Sequence, residues 1–162
     1  MRTTVVPAVV GLVLLASTGC GEGSAADGPA RAEIVDAFTT EATTALAVYL
    51  DLDNDGGDDR IVGADLVGDS AGLAAEVTLH ETAERDGLSI MEPADAIDIA
   101  GGTENALAPA DAHIMLERLT RKVTTDDVVS LRLDLDRAED MTIEVRVVTA
   151  DEAVGLLTEE ER

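Results

Sequence analysis

The residues best suited to chemistry in this sequence are its two histidines and two of its four methionines. They are His80, Met91, His113 and Met115. Ten residues separate His80 from Met91, twenty-one separate Met91 from His113, and one separates His113 from Met115. The stretch therefore has the pattern H-x10-M-x21-H-x-M, which gathers four nitrogen and sulfur donors in one part of the chain.

Imidazole nitrogen and thioether sulfur together favour a soft monovalent metal ion. Cu(I) accepts sulfur readily, whereas Mg²⁺, Ca²⁺ and Mn²⁺ prefer oxygen ligands. Zn²⁺ more often binds cysteine, or histidine together with carboxylate. The four residues therefore predict a Cu(I) site. Because thioethers are neutral and cannot form disulfides, such a site would survive outside the cytoplasm and release its metal more readily than a thiolate site.

Each of the four residues, taken alone, also has an ordinary structural interpretation. A single methionine on an apolar strand usually fills a core, and a single histidine is usually structural. The joint pattern favours a site because the chain has so few of either residue. The spacing of His113 and Met115 also supports a site. Residues i and i+2 of a strand share one face, so these two side chains lie together while Ile114 and Leu116 point to the other face. One face can bind metal while the other packs.

The spacing of these residues, with the sequence HIML that begins at His113, resembles the PCu(A)C family of periplasmic copper chaperones over residues 33–149. The resemblance implies that His80, Met91, His113 and Met115 are the metal ligands and that Cu(I) is the metal bound. It also implies a cupredoxin-like fold.

Two details differ from the family pattern. The family usually approaches its last ligand pair through Pro-Gly-Gly, whereas this chain has Pro109-Ala110-Asp111-Ala112. Glu81 also replaces an optional methionine after the first histidine. Without glycine, the turn must avoid a positive φ or place it at Asp111. Neither difference removes a predicted ligand.

The chain outside the signal region alternates between apolar and polar residues in short runs, which predicts half-buried strands. The clearest runs are 128–136 and 141–149. The other predicted strands are 33–38, 44–52, 60–66, 73–80, 88–91, 97–100 and 113–119. Residues 30–50 could also form a helix, but the family resemblance favours strands there. The prediction is an all-β fold, a Greek-key β-sandwich or barrel of the cupredoxin-like type.

The first residues have the shape of an export signal, with Arg2 followed by an apolar run. The run ends in Leu15-Ala16-Ser17-Thr18-Gly19-Cys20, which resembles a bacterial lipobox with serine where leucine is commonest. Cys20 is the only cysteine, and an exposed thiol outside the cell would be open to oxidation. Lipidation of Cys20 is therefore favoured over a secreted protein with a free thiol.

These features predict four segments. Residues 1–19 are a lipoprotein signal peptide, and residues 20–31 are the lipidated cysteine and a flexible tether. Residues 32–150 are the copper-chaperone-like β domain, and residues 151–162 are an acidic C-terminal tail.

The charge and the motifs exclude several classes of function. With 11 basic and 34 acidic residues, the formal net charge is −23, which opposes binding to nucleic acid and to anionic lipid. Membrane contact is therefore expected through the lipid anchor alone. A blue-copper electron carrier needs a cysteine thiolate, and Cys20 is far from the pattern. The sequence has no phosphate loop or HExxH motif, so an enzyme is not predicted.

The resemblance implies a membrane-anchored Cu(I) metallochaperone on the outer face of the cytoplasmic membrane. Its partner would be the copper site of cytochrome c oxidase during assembly, or another copper-handling protein. Two alternatives stay open at this point. The chain could be a surface lipoprotein whose β-sandwich recognises proteins without metal, or a copper buffering or resistance protein.

Replacing Cys20 tests the predicted anchor. Cys20→Ser removes the thiol that would be acylated, so the protein is expected to move from the membrane fraction to the soluble or secreted fraction. Cell fractionation followed by immunoblotting measures this. Unchanged membrane retention of the variant would indicate an uncleaved apolar anchor instead.

Overall fold

The computed structural model describes residues 28–85, 87–109 and 111–159. The predicted signal peptide, Cys20 and most of the predicted tether lie outside the described residues. In the described part of the chain, no helix is both long enough and apolar enough to cross a membrane.

The described chain forms ten strands, one short 3₁₀ turn and one helix. The strands are β1 Ala32–Thr40, β2 Ala45–Asn54, β3 Asp59–Leu66, β4 Ala74–Arg85, β5 Leu88–Ala94, β6 Ile97–Ile99, β7 Thr103–Leu107, β8 Ala112–Leu119, β9 Val128–Leu135 and β10 Met141–Val148. The 3₁₀ turn is Gly68–Ser70 and the helix is α1 Ala150–Glu159. The nine strands predicted from alternation are all present.

The strands form one sheet in the order β5-β4-β8-β2-β1-β10-β9-β3-β6, with β7 paired to β2. β1 and β10 run parallel, and the other pairings are antiparallel. β3 also contacts β4, although the two are not neighbours in the hydrogen-bonded order. The sheet therefore folds over on itself, and its two halves enclose a common core.

Aliphatic side chains make up the main core. The fully buried members include Ile61 from β3 and Ile114 and Leu116 from β8, and they share one cluster with Leu131 and Leu133 from β9. β9 shows why these residues form a strand, since its buried and half-buried positions alternate along the sequence. Burial of each such side chain stabilises the fold by about 1.5–3 kcal/mol.

Two elements were missed by the sequence analysis. β7 is short and has only one buried residue, Leu107, so it carries no alternating signal. Helix α1 occupies most of the segment predicted to be an acidic tail outside the domain. This helix contributes to a second, smaller hydrophobic cluster, in which Phe38 packs with Ala153, Leu156 and Leu157. The apolar pattern of this helix is weak in the sequence because acidic residues surround these three positions.

The turn that leads into β8 contains no glycine, and its backbone shows how the chain manages without one. Among the described non-glycine residues, only Arg118 has a positive φ, at 54°. Asp111 therefore does not adopt the left-handed conformation, and Ala110 is not described. The backbone carbonyl of Asp111 accepts a hydrogen bond of 2.6 Å from the N–H of Thr82. This bond attaches the turn to β4.

Truncating a core side chain of β8 tests whether the aliphatic core stabilises the strand that carries His113. Ile114 is 0% exposed, so Ile114→Ala is expected to lower the free energy of unfolding by about 2–5 kcal/mol. Val62 is 41% exposed on β3, and Val62→Ala should cost about 1 kcal/mol or less. Denaturant unfolding of both variants measures the difference. Equal losses would contradict this assignment of the core.

Candidate metal centre

The two histidines meet across the β4–β8 pair. Antiparallel pairing places His80 directly opposite His113. Their ring centroids are 5.7 Å apart and their ring planes are inclined by 28°. Because metal–nitrogen bonds are about 2 Å long, this separation leaves room for one ion shared by a nitrogen from each ring.

Met115 lies beside this pair on the same face of the sheet. It is two residues after His113 in β8, and it pairs with Thr78 of β4 and Ala47 of β2. Since Thr78 precedes His80 by two residues, Met115 is a diagonal neighbour of His80. Diagonal neighbours across an antiparallel pair are about 7–8 Å apart, within reach of long side chains.

Met91 lies on the other side of His80, on strand β5. It pairs with Thr82, which follows His80 by two residues and so shares its face. Met91 is therefore also a diagonal neighbour of His80. Its side chain is 59% exposed. The structure thus places all four predicted residues on one face of three neighbouring strands, with the histidines in the middle and one methionine on each diagonal.

His113 is 1% exposed, and its polar atoms are not fully satisfied. Its Nδ1 is buried without a hydrogen-bond partner among the described residues, and so is the hydroxyl oxygen of Thr82. Buried polar atoms nearly always have partners, so an orphaned one needs an explanation. A ring nitrogen held next to a metal site would supply one, because the metal would become its partner.

The environment of His113 also favours the neutral ring. Burial lowers the pKa of His113 below its ordinary value of 6.5, and the nearby His80 lowers that pKa further. The two effects have the same sign, since each disfavours the charged imidazolium form of His113. Neutral imidazole is the form that binds metal, so His113 is prepared for ligation at neutral pH.

A row of rings continues from the histidines towards helix α1. Tyr49 lies 6.4 Å from His113, measured between ring centroids, and Phe38 lies 5.5 Å from Tyr49. The guanidinium of Arg146 sits 5.7 Å from the centroid of Phe38. Burial raises the pKa of Tyr49. The only phenylalanine and the only tyrosine of the chain therefore both lie on the histidine side of the sheet.

Few types of side chain are placed to act as metal donors at this candidate centre. Across residues 28–85, 87–109 and 111–159, no group of three or more His, Cys, Asp and Glu side chains is positioned to hold a metal ion. A metal bound at His80 and His113 would need further donors of another kind, and Met91 and Met115 offer thioether sulfur. Two imidazoles and two thioethers form a soft set that fits Cu(I).

A charged cavity near β3 and β6 is a weaker candidate for a site. It is lined by Asp58, Arg60, Asp136 and Arg137, among others. Arg60 pairs with Asp136 at 2.8 Å, and Arg137 donates a 2.6 Å hydrogen bond to the carbonyl of Asp58. Because these charges pair with one another and with the backbone, they are explained by folding alone.

Three residues that flank the histidines were missed by the sequence analysis. Thr78 and Thr82 stand two positions before and after His80, and the period of a strand could have found them. The hydroxyl of Thr78 lies 3.1 Å from Nε2 of His80. Tyr49 is far from both histidines in sequence, so only the order of the strands reveals it.

Three solved structures have the same fold. The copper-bound PCuAC domain from PmoF2 is 18% identical, with a TM-score of 0.58, and the match covers 75% of this chain and 95% of that domain. The apo PCuAC domain from PmoF1 is 13% identical, with a TM-score of 0.60 and coverage of 75% and 96%. The solution structure of apo-DR1885 from Deinococcus radiodurans is 20% identical, with a TM-score of 0.53 and coverage of 93% and 99%. The chain therefore has the PCuAC fold, which confirms the predicted cupredoxin-like all-β class.

The family follows from a second comparison. The family model of LpqE-like lipoproteins matches residues 28–147, which is most of the chain. The chain belongs to the LpqE-like lipoprotein family, and the predicted resemblance to PCuAC copper chaperones is confirmed. No curated protein matches the sequence.

A histidine titration tests the electrostatics of the apo centre. His113 is expected to titrate below its ordinary pKa of 6.5, because burial and His80 both disfavour its imidazolium form. In His80→Gln the neighbouring charge is removed but the burial stays. Since burial is the larger cause, the pKa of His113 should return only part of the way. NMR of the imidazole carbon-bound protons measures both values, and a wild-type midpoint at or above 6.5 would contradict this account.

Proposed function

We propose that this chain is an extracytoplasmic, membrane-anchored Cu(I) chaperone that binds its ion through His80, Met91, His113 and Met115. The observation that carries the proposal is the pairing of His80 with His113 on one face of the sheet, with the buried Nδ1 of His113 lacking a partner. The copper is the cargo, and the four side chains are the proposed ligands.

The orphaned nitrogen argues against a purely structural role for these residues. Leaving a buried polar atom unpaired costs about 1–3 kcal/mol. In a lipoprotein that only recognised other proteins, His113 could be replaced by an apolar residue of similar size without this cost. Metal ligation explains why a histidine stands at a position that is 1% exposed.

The position of Met91 supports delivery over storage. Its side chain is 59% exposed at the rim of the centre, whereas His113 is buried. A donor from an acceptor protein can therefore approach from the side of Met91 and replace its sulfur, while the histidines still hold the ion. Neutral thioethers also hold copper less tightly than thiolates would. A buffering protein would be better served by enclosed ligands.

The acceptor is proposed to be a copper-handling protein outside the cytoplasm, namely the copper site of cytochrome c oxidase during its assembly. This part of the proposal rests on the resemblance to PCuAC chaperones. The net charge of −23 adds a physical expectation, because an acidic carrier is steered towards a basic partner surface.

The anchor is proposed to be a lipid on Cys20. Membership of a lipoprotein family supports it. Gly28, Pro29 and Arg31 are hydrogen-bonded to the β domain, so the tether proper has about seven residues and, if it is flexible, reaches roughly 13–16 Å. That reach would keep the β domain near the membrane surface and let it turn towards a membrane-bound acceptor.

Substitution of the methionines tests copper ligation. Met91→Leu and Met115→Leu nearly conserve volume, so each should cost less than about 1.5 kcal/mol of stability. If the methionines are ligands, each change removes a soft donor, and the double variant should lose most of its preference for Cu(I) over Zn²⁺. Competition with a Cu(I) chelator measures the affinities, and thermal melts of the apo proteins measure stability.

The third methionine of the domain provides a matched control. Met141 is partly buried and packs against the main core, away from the histidine pair. Met141→Leu should therefore leave Cu(I) affinity unchanged. Wild-type Cu(I) affinity in the Met91→Leu, Met115→Leu double variant would overturn the proposed site.

A further inference from the structure

The ring of His80 is held by a hydroxyl that belongs to its own strand. Thr78 Oγ1 lies 3.1 Å from Nε2 of His80. The two residues are two positions apart on β4, so their side chains share the face that carries the proposed ligands. This contact involves one ring nitrogen and leaves Nδ1 of His80 outside it.

The chemistry of metal-binding histidine indicates which of the two groups donates the hydrogen bond in this contact. A histidine ligand binds metal through one ring nitrogen and donates the N–H of the other to a neighbouring acceptor, which fixes the tautomer and the orientation of the ring. A threonine hydroxyl has lone pairs that can accept such a bond. If Nε2–H of His80 donates to Thr78, the free lone pair of the ring is on Nδ1.

In His113, too, Nδ1 is a ring nitrogen without a partner, since it is buried and has no hydrogen-bond partner among the described residues. The two rings lie opposite one another with their centroids 5.7 Å apart. One arrangement therefore accounts for both rings, in which the two Nδ1 atoms are the nitrogens available to a shared ion.

We propose that Thr78 is a positioning residue that fixes His80 in the tautomer protonated at Nε2, so that His80 and His113 both offer Nδ1 to copper. The inference rests on the proposed function, since it names the donor atoms of that site. It adds a residue that does not touch the metal but sets which nitrogen can.

Thr82 provides a matched comparison within the same strand. It lies two residues after His80, on the same face, and its hydroxyl oxygen is buried without a hydrogen-bond partner in the described part of the chain. Thr78 and Thr82 are thus the same residue type at mirrored positions around His80. Only the Thr78 hydroxyl contacts the ring. Replacing each with valine removes a hydroxyl while keeping a β-branched side chain that suits a strand.

The tautomer can be measured in the apo protein. Samples labelled with ¹⁵N at histidine are held at about pH 8, above the ordinary histidine pKa, so that the rings are neutral. Two-bond ¹H–¹⁵N correlation spectra then show which ring nitrogen carries the proton. Wild type, Thr82→Val and Thr78→Ser are expected to show His80 protonated at Nε2. Thr78→Val is expected to show a mixture of both tautomers.

Cu(I) affinity gives the second measurement. Loss of a group that orients a metal-binding histidine typically weakens binding by about 10–100-fold. A neutral hydroxyl belongs at the lower end, so Thr78→Val should weaken binding about 10-fold. Thr82→Val should bind Cu(I) with the affinity of wild type. Thr78→Ser should also bind as wild type does, because the hydroxyl is retained. Thermal melts of the apo forms show that the variants are folded.

The outcomes separate this inference from the proposed function. A wild-type His80 protonated at Nδ1, or a Thr78→Val variant that keeps the Nε2–H tautomer, would overturn the role of Thr78 while leaving copper ligation by the methionines intact. Tighter copper binding in Thr78→Val would also overturn it, because the hydroxyl would then compete with the metal for Nε2. If the methionine variants bind Cu(I) as wild type does, the proposed site itself fails, whatever the tautomer spectra show.

Discussion

The register between β4 and β8 is the constraint on which the rest of the centre depends. A slip of one residue would turn His113 into the core and Ile114 towards solvent, because side chains alternate across a strand. Ile114 and Leu116 are both 0% exposed, and each contributes about 1.5–3 kcal/mol by burial. The aliphatic face of β8 therefore holds the register, and the position of the face that carries the proposed ligands follows from it.

The two sides of the histidine pair differ in packing and in exposure to solvent. On one side, His113 is followed by Tyr49 and Phe38, and helix α1 packs over these rings through Ala153. On the other side, Met91 lies on β5, the strand at the edge of the sheet, and is largely exposed. A centre with one rigid side and one open side can keep its geometry while exchanging a ligand.

The charge of the domain is compatible with neutral ligands for a cation. Imidazole and thioether bring no formal charge to the proposed site, so the buried His113 imposes no ionic desolvation cost before copper arrives. The ion would instead be attracted by the field of a chain with a net charge of −23. In the proposed site, the donor atoms would supply affinity, and the acidic surface would supply attraction over distance.

The sequence by itself determined the strands with clear alternation, such as β9 and β10, the types of the proposed donor residues and the lipobox-like segment at Cys20. These are local properties, since the period of a strand and the softness of a ligand are set by neighbouring residues and by atom type. Only the tertiary structure decided that β4 lies between β5 and β8, that Tyr49 adjoins His113, and that α1 belongs to the domain. The neighbours of a strand depend on how all strands share one core, and that collective packing leaves no short-range pattern in the chain.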